Sequence, residues 1–329
     1  MDTSSPPHTP QALLKAERLT LAAVPLLDPQ SVCRFAYKSN SDGTKQAYLR
    51  ALREFFRGVG DLHPSLVTTE MVLGWRDQMA EAHLRPATIS TKLAILRSYF
   101  EYLRAGGELA SNPAATRLVP PPRLPEESPG RALSSKEVRY LLAGPDRREA
   151  TGARDYALMM LMLRTSIRVS EAVGLRVSVF QRAGDGWTFK VKVKGGRERT
   201  LPLPPDVKAV IDEYLRLDRA NRDSSGTGGP GAYLFQPSVN RRSFKLDKPL
   251  STRHVWHLFA KWGLYTGVGR VTPHDLRRTA ITRALSLGHD PRRVQMMSGH
   301  KNLNSLRPYD RARENMELNP INDLHYDET

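Results

Sequence analysis

Four short segments of the sequence carry side chains that could bind an anion, move protons and supply a nucleophile. The first ends at Arg168 and the second is Lys194-Gly195-Gly196. The third is His274-Asp275-Leu276-Arg277, and the fourth joins His300 to Tyr309, nine residues further on. Guanidinium groups bind phosphate-like anions, histidine exchanges protons, and tyrosine supplies a hydroxyl nucleophile. Taken singly, each residue has a simpler interpretation as a surface charge, a helix cap or an amphipathic surface residue. Their joint occurrence in this order favours a functional interpretation.

The charge of the chain is positive and unevenly distributed. The 329 residues suggest about two domains and carry a formal net charge of +16, with a pI of about 10.1. Residues 121–309 contain 34 Lys and Arg against 17 Asp and Glu, whereas residues 310–329 contain 2 against 6. A positive field of this size favours a polyanionic partner, and nucleic acid is the default candidate. The alternative explanation of the charge is a GC-rich genome, which could produce it with no ligand involved, because Arg outnumbers Lys by 37 to 13.

Several classes of protein are excluded by simple features. The sequence has no apolar run of the ~18 residues that a membrane span requires, and no signal peptide is visible near Met1. Cys33 is the only cysteine, which excludes internal disulfides and cysteine-rich zinc sites. We therefore expect a soluble intracellular protein without a membrane partner.

The first part of the chain predicts a small helical domain. Residues 1–26 form a Ser/Pro-rich arm, in which Gln11–Ala23 could be helical. Residues 27–116 contain four amphipathic patterns that predict a four-helix bundle: Pro29–Tyr37, Gly43–Gly58, Thr68–His83 and Thr88–Leu103. Residues 117–132 include five prolines and predict an extended linker between domains.

The second part predicts helices with a small β-hairpin or sheet, so the chain as a whole is mainly α, of the α+β class. Within residues 133–309 the hydrophobic period changes from 3.6 to 2 at Trp187–Lys194, and Arg197–Leu203 returns as the partner strand. Helical patterns flank this hairpin: Ser134–Leu142, Ala153–Arg164, Val169–Leu175, Pro205–Arg219, Ser251–Trp262, His274–Leu287 and Pro291–Ser298.

The order Arg, Lys, His-x-x-Arg, His, Tyr in these local contexts resembles the tyrosine recombinase (phage integrase) family. The match extends from Arg154 to Tyr309, and the helical segment before the linker is similar to the family's core-binding domain. The resemblance implies a C-shaped clamp, with the two domains on opposite faces of double-stranded DNA and the linker crossing the duplex. The length and two-domain plan look closest to Xer-like site-specific recombinases.

The resemblance also implies a reaction. Tyr309 would attack a phosphodiester, form a 3′-phosphotyrosyl bond and release a 5′-hydroxyl, with His274 as general base and Lys194 as general acid. The covalent bond conserves energy, so neither ATP nor another cofactor is expected, and no acidic cluster suggests a metal site.

A second set of residues would bind the phosphate. Arg168, Arg277 and His300 would clamp its oxygens and stabilise the charge that develops during attack. Glu171 would orient a cation at the site; its alternative interpretation is a glutamate on a helix surface.

The implied assembly is a synaptic tetramer on a specific recombination site, active in DNA integration or dimer resolution, with a partner recombinase or an accessory DNA-bending protein as further candidates. The tail 310–329 would dock on a neighbouring subunit through Met316 and Leu318. The implied location is cytoplasmic and nucleoid-associated. Candidate DNA contacts are Arg85, Thr91, Lys92, Arg241, Arg242 and Arg253.

Two departures from the family pattern keep alternatives open. The chain has Thr165-Ser166 where the family usually has Thr-Gly, and Pro308 directly before Tyr309. Because proline has no amide donor and restricts the preceding residue, we expect Tyr309 to begin a new helix. The alternatives are relaxation of supercoils by type IB topoisomerase chemistry, and a non-catalytic architectural DNA-binding protein.

Overall fold

The computed structural model describes residues 26–124, 130–193, 196–237 and 248–309. The chain forms two compact units, Met1–Pro125 and Glu126–Thr329, and the division between them falls inside the proline-rich segment 117–132. In the described ranges no helix is both long and apolar enough to cross a membrane.

The described part of the first unit contains four α-helices, and local sequence features explain the starts of three of them. They are α1 (Pro29–Tyr37), α2 (Asp42–Gly58), α3 (Thr69–Glu81) and α4 (Pro86–Ala105). The carboxylate of Asp28 accepts from the first amides of α1, the Thr68 hydroxyl caps α3, and proline occupies the first position of α4. Each device satisfies or removes an amide that the helix itself leaves unbonded.

Aromatic side chains fill the core of this unit. Phe55, Phe56, Tyr99 and Phe100 are fully buried and pack largely edge to face, the arrangement that the ring quadrupole favours. Val119 is also fully buried, and its carbonyl accepts from Arg97 Nη2 at 3.2 Å. The first residues of the predicted linker therefore pack on this core.

In the second unit, a small sheet and further helices surround one long buried helix. Its helices are α5 (Ser135–Ala143), α6 (Ala150–Thr165), α7 (Val169–Val173), α8 (Pro205–Leu217), α9 (Arg219–Ser224), α10 (Thr252–Tyr265), α11 (Pro273–Ser286) and α12 (Pro291–Ser298). Helix α6 is buried on most of its surface and packs against α8 and α11.

The sheet has three antiparallel strands in the order β1-β2-β3. They are β1 (Phe180–Ala183), β2 (Gly186–Lys192) and β3 (Glu198–Leu203), and Phe189 pairs with both Phe180 and Leu201. The predicted strands correspond to β2 and β3. Strand β1 was not predicted because three of its four residues are exposed and give no alternating pattern.

Three local features place the ends of the elements that carry the predicted site residues. A capping box between Thr272 and Asp275 begins α11, and Gly299 ends α12 in the left-handed region with φ +67°. A 3₁₀ helix spans Leu303–Tyr309 and includes Pro308. Within the described residues Tyr309 does not begin a new helix, contrary to the expectation: it follows Pro308 in the same 3₁₀ helix, because the fixed φ of proline is compatible with that helix.

Candidate active site

Arg277 is the most deeply buried cation of the candidate site. It lies on α11, is 3% exposed, and donates from Nη1 to the Ser166 carbonyl and from Nη2 to the Ser298 carbonyl at 2.8 Å. Burial, reinforced by the nearby charge of Arg168, lowers its pKa to about 10. In the described part of the chain no carboxylate forms an ion pair with Arg277, so its charge is held in place by carbonyl dipoles.

Arg168 is held at the start of α7 by Glu171. One carboxylate oxygen of Glu171 accepts from Arg168 Nη1 at 3.0 Å, and the other accepts from the Arg168 amide at 2.9 Å. Arg168 Nη2 also donates to the Gly299 carbonyl at 3.3 Å. The Arg168 side chain is 42% exposed whereas that of Glu171 is 4% exposed. The guanidinium is therefore fixed on one side and accessible to a ligand on the other.

His300 lies between these arginines and the end of α12. Its Nδ1 is 2.9 Å from the Ser298 hydroxyl and its Nε2 is 3.2 Å from Arg277 Nη2. Burial, together with Arg277 and Arg168, lowers its pKa to about 4. Because a guanidinium only donates, Nε2 accepts here and the proton of the neutral ring is on Nδ1. The Ser298 hydroxyl, which can also donate, is compatible with the other tautomer.

Tyr309 is buried beside His300. It is 6% exposed, its ring centroid is 5.8 Å from that of His300, and it packs with the apolar cluster of Ile281, Val294 and Leu306. Arg278 lies over the Tyr309 ring at 4.9 Å, a cation–π contact, and donates to the Pro308 carbonyl at 3.3 Å. The last turn before the described chain ends is thus anchored to α11.

His274 is the second residue of α11 and is exposed. Partial desolvation, with the charges of Arg278 and Arg277 nearby, lowers its pKa. A histidine that is neutral at neutral pH can accept a proton, which is what a general base does.

Two arginines at this site were not predicted from the sequence, the partly buried Arg199 and the buried Arg278. Arg199 on β3 contacts Glu171 and the end of α12. Arg278 is 6% exposed, and its Nε and Nη2 have no hydrogen-bond partner among the described residues. A signal for Arg199 existed, because strand alternation places it on the same face as the apolar Leu201 and Leu203.

The remaining candidates are dispersed or lie outside the described residues. Lys194, Arg241, Arg242 and the tail 310–329 with Met316 and Leu318 are outside them. Arg85, Thr91 and Arg253 are exposed. Lys92 is paired with Glu54, its Nζ 2.7 Å from Oε2. In the described ranges no group of three or more His, Cys, Asp or Glu side chains could hold a metal ion.

Comparison with protein families matches two segments of the chain. Residues 131–316 match the phage integrase family, and residues 35–107 match the phage integrase N-terminal SAM-like domain. The first match covers the second unit's described site, including Arg168, Arg277, His300 and Tyr309. The resemblance inferred from those residues is confirmed.

Two curated relatives extend the comparison to most of the chain. Tyrosine recombinase XerD of Xanthomonas axonopodis pv. citri (strain 306) is 31% identical over 244 residues, which is 72% of this chain and 74% of the relative. Tyrosine recombinase XerC of Escherichia coli (strain K12 / DH10B) is 32% identical over 228 residues, 69% of this chain and 70% of the relative.

A solved structure shares the fold. The XerH site-specific recombinase, bound to a palindromic difH substrate in a post-cleavage complex, superposes with a TM-score of 0.66 and 18% identity. The match covers 91% of this chain and 90% of that one. With both family segments present in order and two relatives above 30% identity, the chain belongs to the phage integrase family of tyrosine recombinases.

Proposed function

We propose that this chain breaks and rejoins DNA at a specific site through a covalent bond to Tyr309. The observation that supports this proposal most directly is the convergence of Arg168 and Arg277 on the Gly299–His300 segment, where the His300 ring centroid is 5.8 Å from that of Tyr309. The buried charge of Arg277, which no carboxylate in the described ranges pairs, lies in the same site as the Tyr309 hydroxyl and suits an anionic ester that gains charge on attack.

In the proposed reaction the Tyr309 oxygen bonds to the phosphorus and the bond from phosphorus to the 5′-oxygen breaks. His274 accepts the phenol proton and Lys194 donates a proton to the departing 5′-oxygen. Arg168 and Arg277 bond the non-bridging oxygens as their charge increases. Religation is the reverse reaction, so no external energy source is required.

His300 has a further requirement in this reaction. Its Nε2 accepts from Arg277 in the unliganded site, whereas a bond to a phosphate oxygen requires a proton on Nε2. We propose that phosphate binding draws the proton to Nε2 while the Ser298 hydroxyl turns to donate to Nδ1. Ser298 Oγ would then give up its bond to the Gln295 carbonyl, which is 3.3 Å long.

The assembly and location follow from the same proposal. XerD and XerC are named recombinases and XerH is described on its DNA substrate; we propose that this chain likewise acts on double-stranded DNA, as a tetramer, with the tail 310–329 contacting a neighbouring subunit. A protein with this substrate would be cytoplasmic and nucleoid-associated.

A nicked suicide duplex tests the covalent step. DNA that the protein binds is first selected from the source genome, and a nick near the scissile phosphate lets the cleaved end diffuse away. We expect a denaturation-resistant adduct in EDTA with the wild type and no adduct with Tyr309→Phe. Tyr265→Phe is the matched control, because Tyr265 is 74% exposed on α10.

The other outcomes identify the alternatives. Relaxation of supercoiled DNA without preference for a site would indicate topoisomerase activity, and tight binding without an adduct in any variant would indicate an architectural protein. Either result would contradict the proposal. Strand exchange between two duplexes carrying the selected site would support it.

A further inference from the structure

Arg199 is a nearly buried cation that contacts two separate segments of the site. It projects from β3 toward the core, and its side chain is 16% exposed. Burial lowers its pKa, and Glu171 opposes this effect. In the part of the chain that the structure describes, its Nε has no hydrogen-bond partner. Holding such a group away from water is costly, so its contacts warrant a functional explanation.

The contacts of Arg199 join the segment that carries Arg168 to the segment that carries His300. Nη1 donates to the Met296 carbonyl at 3.1 Å and to the Met297 carbonyl at 2.8 Å, at the end of the helix that leads to His300. Nη2 donates to Glu171 at 3.2 Å. Glu171 in turn holds the Arg168 guanidinium at 3.0 Å.

Gly299 brings the backbone closer to Arg199 than any other residue could. A Cβ at position 299 would lie 2.8 Å from Arg199 Nη1 and 2.9 Å from Cζ, closer than real Cβ contacts allow. The guanidinium therefore packs directly on the backbone at Gly299. Its position and that of the loop fix each other.

We propose that Arg199 is a positioning residue for strand cleavage, fixing Arg168 and His300 at the separation that a phosphate requires. This inference rests on the proposed function. Arg199 acts through Glu171 on one side and through the α12 carbonyls on the other. A guanidinium fork bonds both sides at once, which the single ammonium of a lysine does not do.

The first test separates cleavage from binding. Arg199→Gln and Arg199→Lys are compared with wild type for DNA affinity and for the rate of adduct formation at saturating nicked duplex. We expect both variants to form the adduct about 100-fold more slowly, the effect of a small misplacement of reacting groups, with affinity within a few-fold of wild type. If Arg199→Gln does not fold, Arg199→Lys, which retains the charge and most of the stem, carries the same test.

Arg222→Gln is the matched control. Arg222, on α9, is a more deeply buried arginine of the second unit; it pairs with Asp218, the residue before that helix, and its contacts within the described ranges lie outside the site. We expect this variant to unfold at a lower temperature while its folded fraction forms the adduct within about threefold of the wild-type rate. An equal loss of rate in both variants would mean that Arg199 has only a structural role.

Two modified substrates show which group Arg199 positions. A methylphosphonate at the scissile position lacks one negative charge, so it depends less on Arg168, and we expect the loss caused by Arg199→Gln to shrink to within about tenfold. A sulfur-bridged 5′ leaving group departs without a proton and should leave the loss unchanged. If the sulfur-bridged substrate instead restored the rate of Arg199→Gln, Arg199 would act on the proton donor Lys194 rather than on Arg168 and His300. That result would overturn the inference.

A full wild-type rate in both Arg199 variants would also overturn it. Absence of the adduct in the wild type is a different result, because it contradicts the proposed function itself. The two failures are thus distinguishable in one experiment.

Discussion

Arg222 and Arg277 are both 3% exposed, yet their surroundings differ. Arg222 bonds the Asp218 carboxylate at 2.8 Å, the Tyr214 hydroxyl at 2.8 Å and two backbone carbonyls. Arg277 bonds two carbonyls and His300, and Glu171, the carboxylate whose charge raises its pKa, is occupied by Arg168 and Arg199. The first arginine is neutralised within the protein; the second retains charge that an anionic ligand can neutralise.

The difference separates stabilisation from function. When either partner of a buried ion pair is removed, the folded state is destabilised, because the other charge remains buried alone. A buried cation surrounded only by dipoles is costly in the free protein and favourable once an anion arrives. Removing each arginine should therefore affect different measurements.

The largest effect is expected at Arg277. Arg277→Gln should slow adduct formation about 1,000-fold, because a preorganised donor to the transition state is lost. Its free energy of unfolding should change by less than about 2 kcal/mol, because the loss of three hydrogen bonds is offset by removal of an unpaired buried charge. Adduct kinetics and urea unfolding of the same preparation provide both values. A loss of stability equal to that of Arg222→Gln would refute the distinction.

Arg222→Gln should show the reverse pattern. The buried Asp218 carboxylate, 13% exposed at its side chain, loses its partner, and the free energy of unfolding should fall by about 3–5 kcal/mol. Urea unfolding followed by tryptophan fluorescence measures the change. Unchanged stability would show that the α9 network does not support the fold.

The smallest effect concerns pH. The pKa of His300 is lowered from the ordinary 6.5 to about 4, so between these values the unfolded chain binds a proton that the folded chain does not. The free energy of unfolding therefore decreases as the pH falls from about 6.5 to about 4. Above this window His300 is neutral in both states and does not destabilise the folded chain. His274 and His254 act in the same direction.

His300→Asn sharpens the measurement. The unfolding temperature of this variant should depend less on pH between 7 and 4.5 than that of wild type, because one of the three histidines with a lowered pKa has been removed. Parallel curves for the two proteins would mean that the cations around His300 do not raise the cost of protonating it.

Much of the fold could be predicted from the sequence. The helices of the first unit and the pair β2-β3 follow from hydrophobic periodicity and caps, with ends within a few residues of those observed. Strand β1 could not be predicted, because an exposed edge strand lacks an apolar face. The 3₁₀ helix through Pro308 could not either, because its geometry depends on packing of Leu306 and Tyr309 against α11.

The site was predictable to the extent that residue types carry it. Arg168, Arg277, His300 and Tyr309 have recognisable neighbours in the sequence, and the structure brings them together. The carbonyls of Ser166 and Ser298 have no such signal, because any residue supplies a carbonyl and only the fold aims it. Arg199 was identifiable from alternation, but its link to Glu171 depends on contacts between residues 28 positions apart.

Gly299 limits how sequences of this kind can change. Its φ of +67° disfavours most side chains, and the Arg199 guanidinium occupies the space that a Cβ would need. A side chain at 299 would therefore displace the Arg199 guanidinium from its hydrogen bonds, and a smaller residue at 199 removes only one of the two obstacles. Asparagine tolerates this backbone but still carries a Cβ. Positions 199 and 299 are therefore expected to vary together.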